Sequence, residues 1–169
     1  VRFGTERSLV QIQSSRPYFY QLTNILREEK MKADRKKILF ICTHNSARSQ
    51  MAEGLLNHFY KEGYEAYSAG THPSSVNPYV FTAMNEIGID LSNHYSKSID
   101  EFKDEKFDLV VTVCDNARET CPYFPGGQQY IHKSFPDPSS LEGDEETIIQ
   151  GVKKIRDEIK SWLDKAFGL

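Results

Sequence analysis

The segment Cys42-Thr43-His44-Asn45-Ser46-Ala47-Arg48-Ser49 sets a nucleophile and a cation with five residues between them. A cysteine thiolate attacks electrophilic centres, and an arginine guanidinium grips two oxygens of a tetrahedral anion at once. The run before it, Lys36-Lys37-Ile38-Leu39-Phe40-Ile41, is apolar and bulky, as a buried strand is. After it, Met51, Leu55, Leu56 and Phe59 recur at helical spacing. A loop between a strand and a helix start encloses unpaired N–H groups and the positive end of the helix dipole. The pattern thus predicts an oxyanion loop of Thr43, His44, Asn45, Ser46, Ala47, Arg48 and Ser49. In that positive field Cys42 is expected to favour its thiolate. A buried cysteine ending a strand accounts for Cys42 alone, not for the spacing. No Gly-rich, Lys-bearing phosphate loop occurs here, so nucleotide hydrolysis is not indicated.

Two further cysteines complete the thiols, Cys114 and Cys121, with six residues between them. Cys114 ends Phe107-Asp108-Leu109-Val110-Val111-Thr112-Val113, a near-continuous apolar run that reads as a central parallel strand. Groups at strand ends of open α/β sheets are where catalysis collects. Taken singly, Cys114 also reads as a packed small hydrophobe and Cys121 as a surface thiol. Asp137-Pro138 lies downstream, and that dipeptide alone reads as a turn. His44, His58, His72, His94 and His132 show no metal-ligand spacing, and no metal is expected.

The remaining elements must position these groups. Tyr64 to Ser68 reads as a second strand with an exit turn at Ala69-Gly70. Asn77 caps a helix with Pro78 in its first turn, an apolar face of Val80, Phe81, Met84 and Ile87, and Gly88 at its end. Ile89 to Lys103 is connecting structure with one short helix. Tyr130-Ile131-His132 reads as a short edge strand. The last helix carries a core stripe of Ile148, Val152, Ile155, Ile159, Trp162 and Ala166, with Asp144, Glu145 and Glu146 at its positive end. Alternating strands and helices imply an α/β fold, a parallel sheet covered on both faces.

The 169 residues suffice for one substantial domain, and the net charge of −3 leaves no basic footprint for nucleic acid. No apolar run reaches membrane length, and the first residues lack the apolar centre of a secretory signal. An odd number of cysteines fits reactive thiols in a cytoplasmic protein better than a secreted disulfide scaffold. Residues 1–30 are polar and patternless apart from a weak helix at 18–30. They are expected to be an extension, disordered or the product of upstream translation, ahead of a domain at 31–169 that starts at Met31.

From Lys36 to Phe167 the chain resembles the low-molecular-weight tyrosine phosphatase superfamily, and within it the thioredoxin-coupled arsenate reductases. The Cys42 loop, Asp137-Pro138 and the pair Cys114 and Cys121 carry the resemblance. It implies a three-layer fold with a four-stranded parallel sheet of order 2-1-3-4. It implies that Cys42 attacks arsenate held by Arg48, and that Asp137 protonates the leaving oxygen. Cys114 then attacks Cys42 and expels arsenite, and Cys121 attacks Cys114 to leave a disulfide for thioredoxin. Ser49 would bond the Cys42 sulfur, and Asn45 would hold the loop. Some members bind potassium through residues matching Asn45, Glu53 and Ser68 and an aspartate near Lys97. Here an ammonium could replace that cation, so potassium is not expected. Ala47 replaces a further cysteine of some reductases at no cost to the mechanism. Two alternatives stand: a tyrosine phosphatase using Cys42 and Asp137, and a non-enzymatic oxyanion-binding redox sensor. Against the first, Ser139-Ser140 stands where such phosphatases offer tyrosines, and Cys114 and Cys121 would be idle.

Overall fold

The structure is a computed structural model that describes residues 34–120 and 123–168, together with Gln21, Asn24, Ile25 and Lys30. The chain divides into two compact units, Val1–Asp34 and Arg35–Leu169. In the first, the four described positions up to Lys30 are helical, within the stretch expected to form a weak helix. The start expected at Met31 lies outside the described residues, as does Cys121.

In the second unit, four strands run β1 (Lys36–Cys42), β2 (Tyr64–Gly70), β3 (Phe107–Thr112) and β4 (Gly127–His132). They pair in parallel, in the order β2-β1-β3-β4, as the resemblance implied. Four helices accompany them: α1 (Arg48–Phe59), α2 (Pro78–Asn85), α3 (Asp115–Thr120) and α4 (Glu145–Phe167). Ile38, Leu39, Phe40 and Ile41 of β1 are all buried, so this strand is covered on both faces. Each large side chain so buried contributes roughly 1.5–3 kcal/mol.

Local chemistry accounts for the elements. Asn77 caps α2 by accepting from the Tyr79 amide, Pro78 takes the first helical position, and Gly88 follows the helix at φ 78°. Asp144 caps α4 through the Thr147 amide at 2.9 Å. The α4 stripe differs from expectation at its end, where Ala166 is exposed and Leu163 and Phe167 are buried. Phe167 packs edge-on against Tyr64 and Trp162, which turns the stripe towards its side of the helix. Arg156, also on α4, is buried and donates to the Ala83 carbonyl and the Glu86 carboxylate, tying α4 to α2. β2 runs two residues beyond the expected strand, through Ala69 and Gly70, because Gly70 pairs with Cys42 at the end of β1. β4 begins at Gly127, three residues before the expected edge strand, in register with Phe107.

The order of the sheet decides where chemistry can gather. The chain steps from β1 to β2 on one side and then crosses from β2 past β1 to β3 on the other, which makes the carboxyl ends of β1 and β3 a topological switch point. Ile41 pairs with Thr112, and the Val113 amide donates to the Ile41 carbonyl at 2.8 Å. Cys42, the last residue of β1, and Cys114, two residues past the end of β3, therefore stand at neighbouring strand ends, and both are buried.

Candidate active site

The loop after β1 turns through Asn45, whose φ of 47° is the left-handed region that asparagine tolerates better than most residues. Its buried side chain uses every hydrogen-bonding position. Nδ2 donates to the Ser49 and Ser68 hydroxyls, each at 2.8 Å. Oδ1 accepts from the Lys97 amide at 2.7 Å and from Gln50 Nε2 at 2.8 Å. The left-handed conformation costs roughly 1–2 kcal/mol, an amount that four bonds at about 1 kcal/mol each offset. Gly70 lets this loop lie against the end of β2: a Cβ there would meet the Asn45 nitrogen and the Thr43 carbonyl at 2.9 Å.

Cys42 lies inside this turn. Its sulfur accepts from the Asn45 amide at 3.0 Å and stands 2.9 Å from the Ser49 hydroxyl. Ser49, which alone could also be read as a helix cap, thus serves the sulfur. The cap position of α1 belongs to Ala47, which makes no side-chain capping bond. With no side-chain oxygen at that cap, the first amides of α1 remain available to an anion. Burial pushes the Cys42 thiol up, and the Ser49 hydroxyl and the Asn45 and Ser49 amides only partly counter it.

Arg48 follows the loop as the first residue of α1. Its guanidinium donates to Asp137 Oδ2 at 2.8 Å and to the Phe135 carbonyl at 3.2 Å. Burial pushes the Asp137 carboxyl up, but the Ser139 amide, the Arg48 charge, the Ser139 hydroxyl and His44 together hold it below the usual range. Asp137 is thus a carboxylate bonded to Arg48 in this state, which a proton donor cannot be until it gains a proton. Cys42, His44, Ser46, Ala47, Arg48, Asn77, Asp137 and Ser139 line a pocket of about 40 Å³. A water needs roughly 10–15 Å³ on this measure, so the pocket suits a small oxyanion. The Thr43 hydroxyl lies 3.4 Å from the Cys114 sulfur.

Behind the loop stands a polar layer that the sequence reading saw only in part. Ser68 donates to the Glu53 carboxylate. The Lys97 ammonium lies 3.1 Å from the same Glu53 oxygen, and both residues are buried. Gln50 also donates to the Tyr95 carbonyl and carries His94 on its Oε1 at 2.8 Å. Gln50, Gly70 and His94 were missed as site residues, and Asn77 was seen only as a cap. A signal existed for the first: Ser49, Gln50 and Glu53 put polar groups on α1 turns that must be buried. Among the described residues no cluster has the makings of a metal site.

Comparison with known proteins follows the same outline. The family described as low molecular weight phosphotyrosine protein phosphatase matches residues 37–167. An arsenate reductase of Staphylococcus aureus is 44% identical over 132 residues, 78% of this chain and 96% of its own. An arsenate reductase of Halalkalibacterium halodurans is 43% identical over 126 residues, 75% of this chain and 91% of its own. Among solved structures, an arsenate reductase in the phosphate binding state aligns with a TM-score of 0.63 at 27% identity, covering 78% of this chain and 95% of that one.

Because burial raises the Cys42 thiol, its thiolate appears late as pH rises. With Cys114 and Cys121 replaced by serine, alkylation of Cys42 by iodoacetamide should show a midpoint above the ordinary cysteine value of about 8.5. A midpoint below that value would mean that the loop amides outweigh burial.

Proposed function

We propose, on the premise that this chain belongs to the low molecular weight phosphotyrosine protein phosphatase family, that it is an arsenate reductase supplied with electrons by thioredoxin or an equivalent dithiol protein. The observation that carries this reading is the second buried thiol. Cys114 lies two residues past the end of β3, the strand beside that of Cys42, and phosphate ester hydrolysis has no use for it. The relatives at 43–44% identity named arsenate reductase support the same choice.

In this reading arsenate takes the fork of Arg48 and the amides at the start of α1, and so displaces Asp137 from Arg48. Without the neighbouring positive charge the Asp137 carboxylate binds a proton more readily. As the Cys42 sulfur attacks arsenic, its proton passes through Asp137 to the departing oxygen. One thiol and one arsenate thus give a covalent sulfur–arsenic adduct and one water. Cys114, deprotonated, then attacks the Cys42 sulfur; the sulfur–arsenic bond breaks and its electron pair stays on arsenic, which leaves as arsenite. Cys121 attacks Cys114, returns Cys42 to its thiol, and leaves a Cys114–Cys121 disulfide for an external dithiol to reduce. Such a cycle suits a compartment that keeps thiols reduced, the cytoplasm. No helix among the described residues is long and apolar enough to cross a membrane. Phosphate has nearly the shape and charge of arsenate, so slow aryl phosphate hydrolysis at Cys42 accompanies this activity.

No potassium ion takes part in this reading. The Lys97 ammonium already faces the Glu53 carboxylate behind Asn45. Ser68 and Asn45 complete that chain of bonds.

Three outcomes are expected. Arsenate-dependent NADPH oxidation with thioredoxin and its reductase should vanish when Cys42, Cys114 or Cys121 becomes serine, whereas aryl phosphate hydrolysis should need Cys42 alone. Arsenate turnover by the Cys121→Ser variant with thioredoxin would break the relay. Asp137→Asn should slow both reactions by about 10²–10⁴-fold, the usual worth of a positioned proton donor, and full activity would remove Asp137 from the mechanism. Exchanging potassium for tetramethylammonium at equal ionic strength should leave turnover and Tm unchanged; a Tm rising with potassium would show that Lys97 does not fill the cation's place.

A further inference from the structure

We propose that Asp115, tethered by His132 and Ser134, positions α3 and thereby sets the reduction potential of the Cys114/Cys121 pair, an inference that rests on the relay described above. Cys114 directly precedes α3 in sequence and Cys121 directly follows it. Residues seven apart along a helix lie about 10 Å apart, at 1.5 Å per residue. A disulfide needs Cα atoms within roughly 7 Å. A Cys114–Cys121 disulfide therefore cannot close along a continuous helix, and forming it requires the segment that α3 occupies to bend or unwind. Every contact that holds α3 in its helical place stabilises the dithiol against the disulfide.

Ala117 is buried, while Asp115, Asn116, Arg118 and Glu119 are exposed. Asp115, the first residue, reaches the end of the neighbouring strand with both carboxylate oxygens. Oδ1 lies 3.0 Å from His132 Nε2, and Oδ2 accepts from the Ser134 hydroxyl at 3.0 Å. These two bonds hold the Asp115 carboxyl below the usual range, Ser134 first and then His132. The imidazole is itself oriented from behind, its Nδ1 lying 2.8 Å from the Thr112 hydroxyl on β3. A carboxylate only accepts, so Nε2 carries the proton facing Asp115. Thr112, His132, Ser134 and Asp115 thus form a tether from the ends of β3 and β4 to the start of α3. None of the four lines the pocket around Cys42.

The direction of the effect follows from linkage. The tether belongs to the dithiol form with α3 intact. Removing it destabilises that form relative to the disulfide, so the pair becomes easier to oxidise and harder to reduce. A residue that merely supported the fold would leave this balance unmoved.

The test uses the full chain with Cys42→Ser, so that only Cys114 and Cys121 exchange. The protein is equilibrated with reduced and oxidised glutathione, trapped by alkylation, and its free thiols are counted by mass. His132→Phe and Ser134→Ala should each raise the equilibrium constant for disulfide formation about five- to tenfold, a tenfold change being about 30 mV for this two-electron couple. His132→Gln, whose amide can still donate to Asp115, should keep most of the original value. The same substitutions with Cys42 intact should leave aryl phosphate hydrolysis unchanged, which establishes that the loop is undisturbed. A disulfide that forms with the same constant in both variants would overturn the tether and leave the relay standing. No Cys114–Cys121 disulfide even with the tether intact would instead overturn the relay.

Discussion

The side chain of Asn45 has no free hydrogen-bonding position, and much of this structure is arranged around that fact. Its two donors and two acceptor sites hold a residue at positive φ in the turn that wraps the Cys42 sulfur. Each partner is in turn fixed. Ser68 is bonded to Glu53, Glu53 to Lys97, and Gln50 to the Tyr95 carbonyl and His94. Buried groups of this kind are expensive if left unmatched, and a fully matched set permits one arrangement only. The loop amides are therefore aimed before any anion arrives, the condition under which electrostatic stabilisation of a transition state is strongest.

Protonation in the site runs opposite to what a thiolate nucleophile and a ready-made acid would require. Burial favours the Cys42 thiol, while the Ser139 amide and Arg48 overcome burial at Asp137 and favour its carboxylate. The two departures complement each other. The proton that the leaving oxygen needs is the one that the nucleophile must lose, and Asp137 stands in the same pocket as Cys42 to pass it on. Arg48 links the events, because an anion that takes its guanidinium weakens its hold on Asp137.

Much of this was legible in the residues. The strand, loop and helix around Cys42 follow from apolar spacing, and the α4 stripe from its steps of three and four. Asp137 and Cys114 gained meaning only beside the Cys42 loop, since an Asp-Pro turn and a cysteine ending a strand are each common. What escaped notice was set by contacts distant in sequence. Gly70 looked like a turn glycine, yet its missing Cβ makes room for the Thr43 and Asn45 backbone. Gln50 looked like one more helix residue, yet it joins the loop to Tyr95, 45 positions away. The depth of burial that pushes the Cys42 thiol up was likewise invisible in the sequence, which shows only the helix start. The exposed Ala166 was misplaced because periodicity defines a face but not which edge of it the sheet covers.

Rigid and yielding parts of the site are divided along its two strand ends. The end of β1 enters the loop locked by Asn45, and binding a small anion demands that rigidity. The end of β3 enters α3, a helix of six residues with Ala117 as its buried anchor. An isolated helix that short is marginal in water, because the cost of its first turn is spread over few bonds. A thiol relay requires such a segment, since sulfurs on either side of a helix must come together and separate once in every cycle. The parallel sheet satisfies both demands by setting Cys42 and Cys114 at the ends of adjacent strands of one core. The sulfur that must stay and the sulfur that must move thus start from neighbouring strand ends, with the Thr43 hydroxyl of the loop against the Cys114 sulfur.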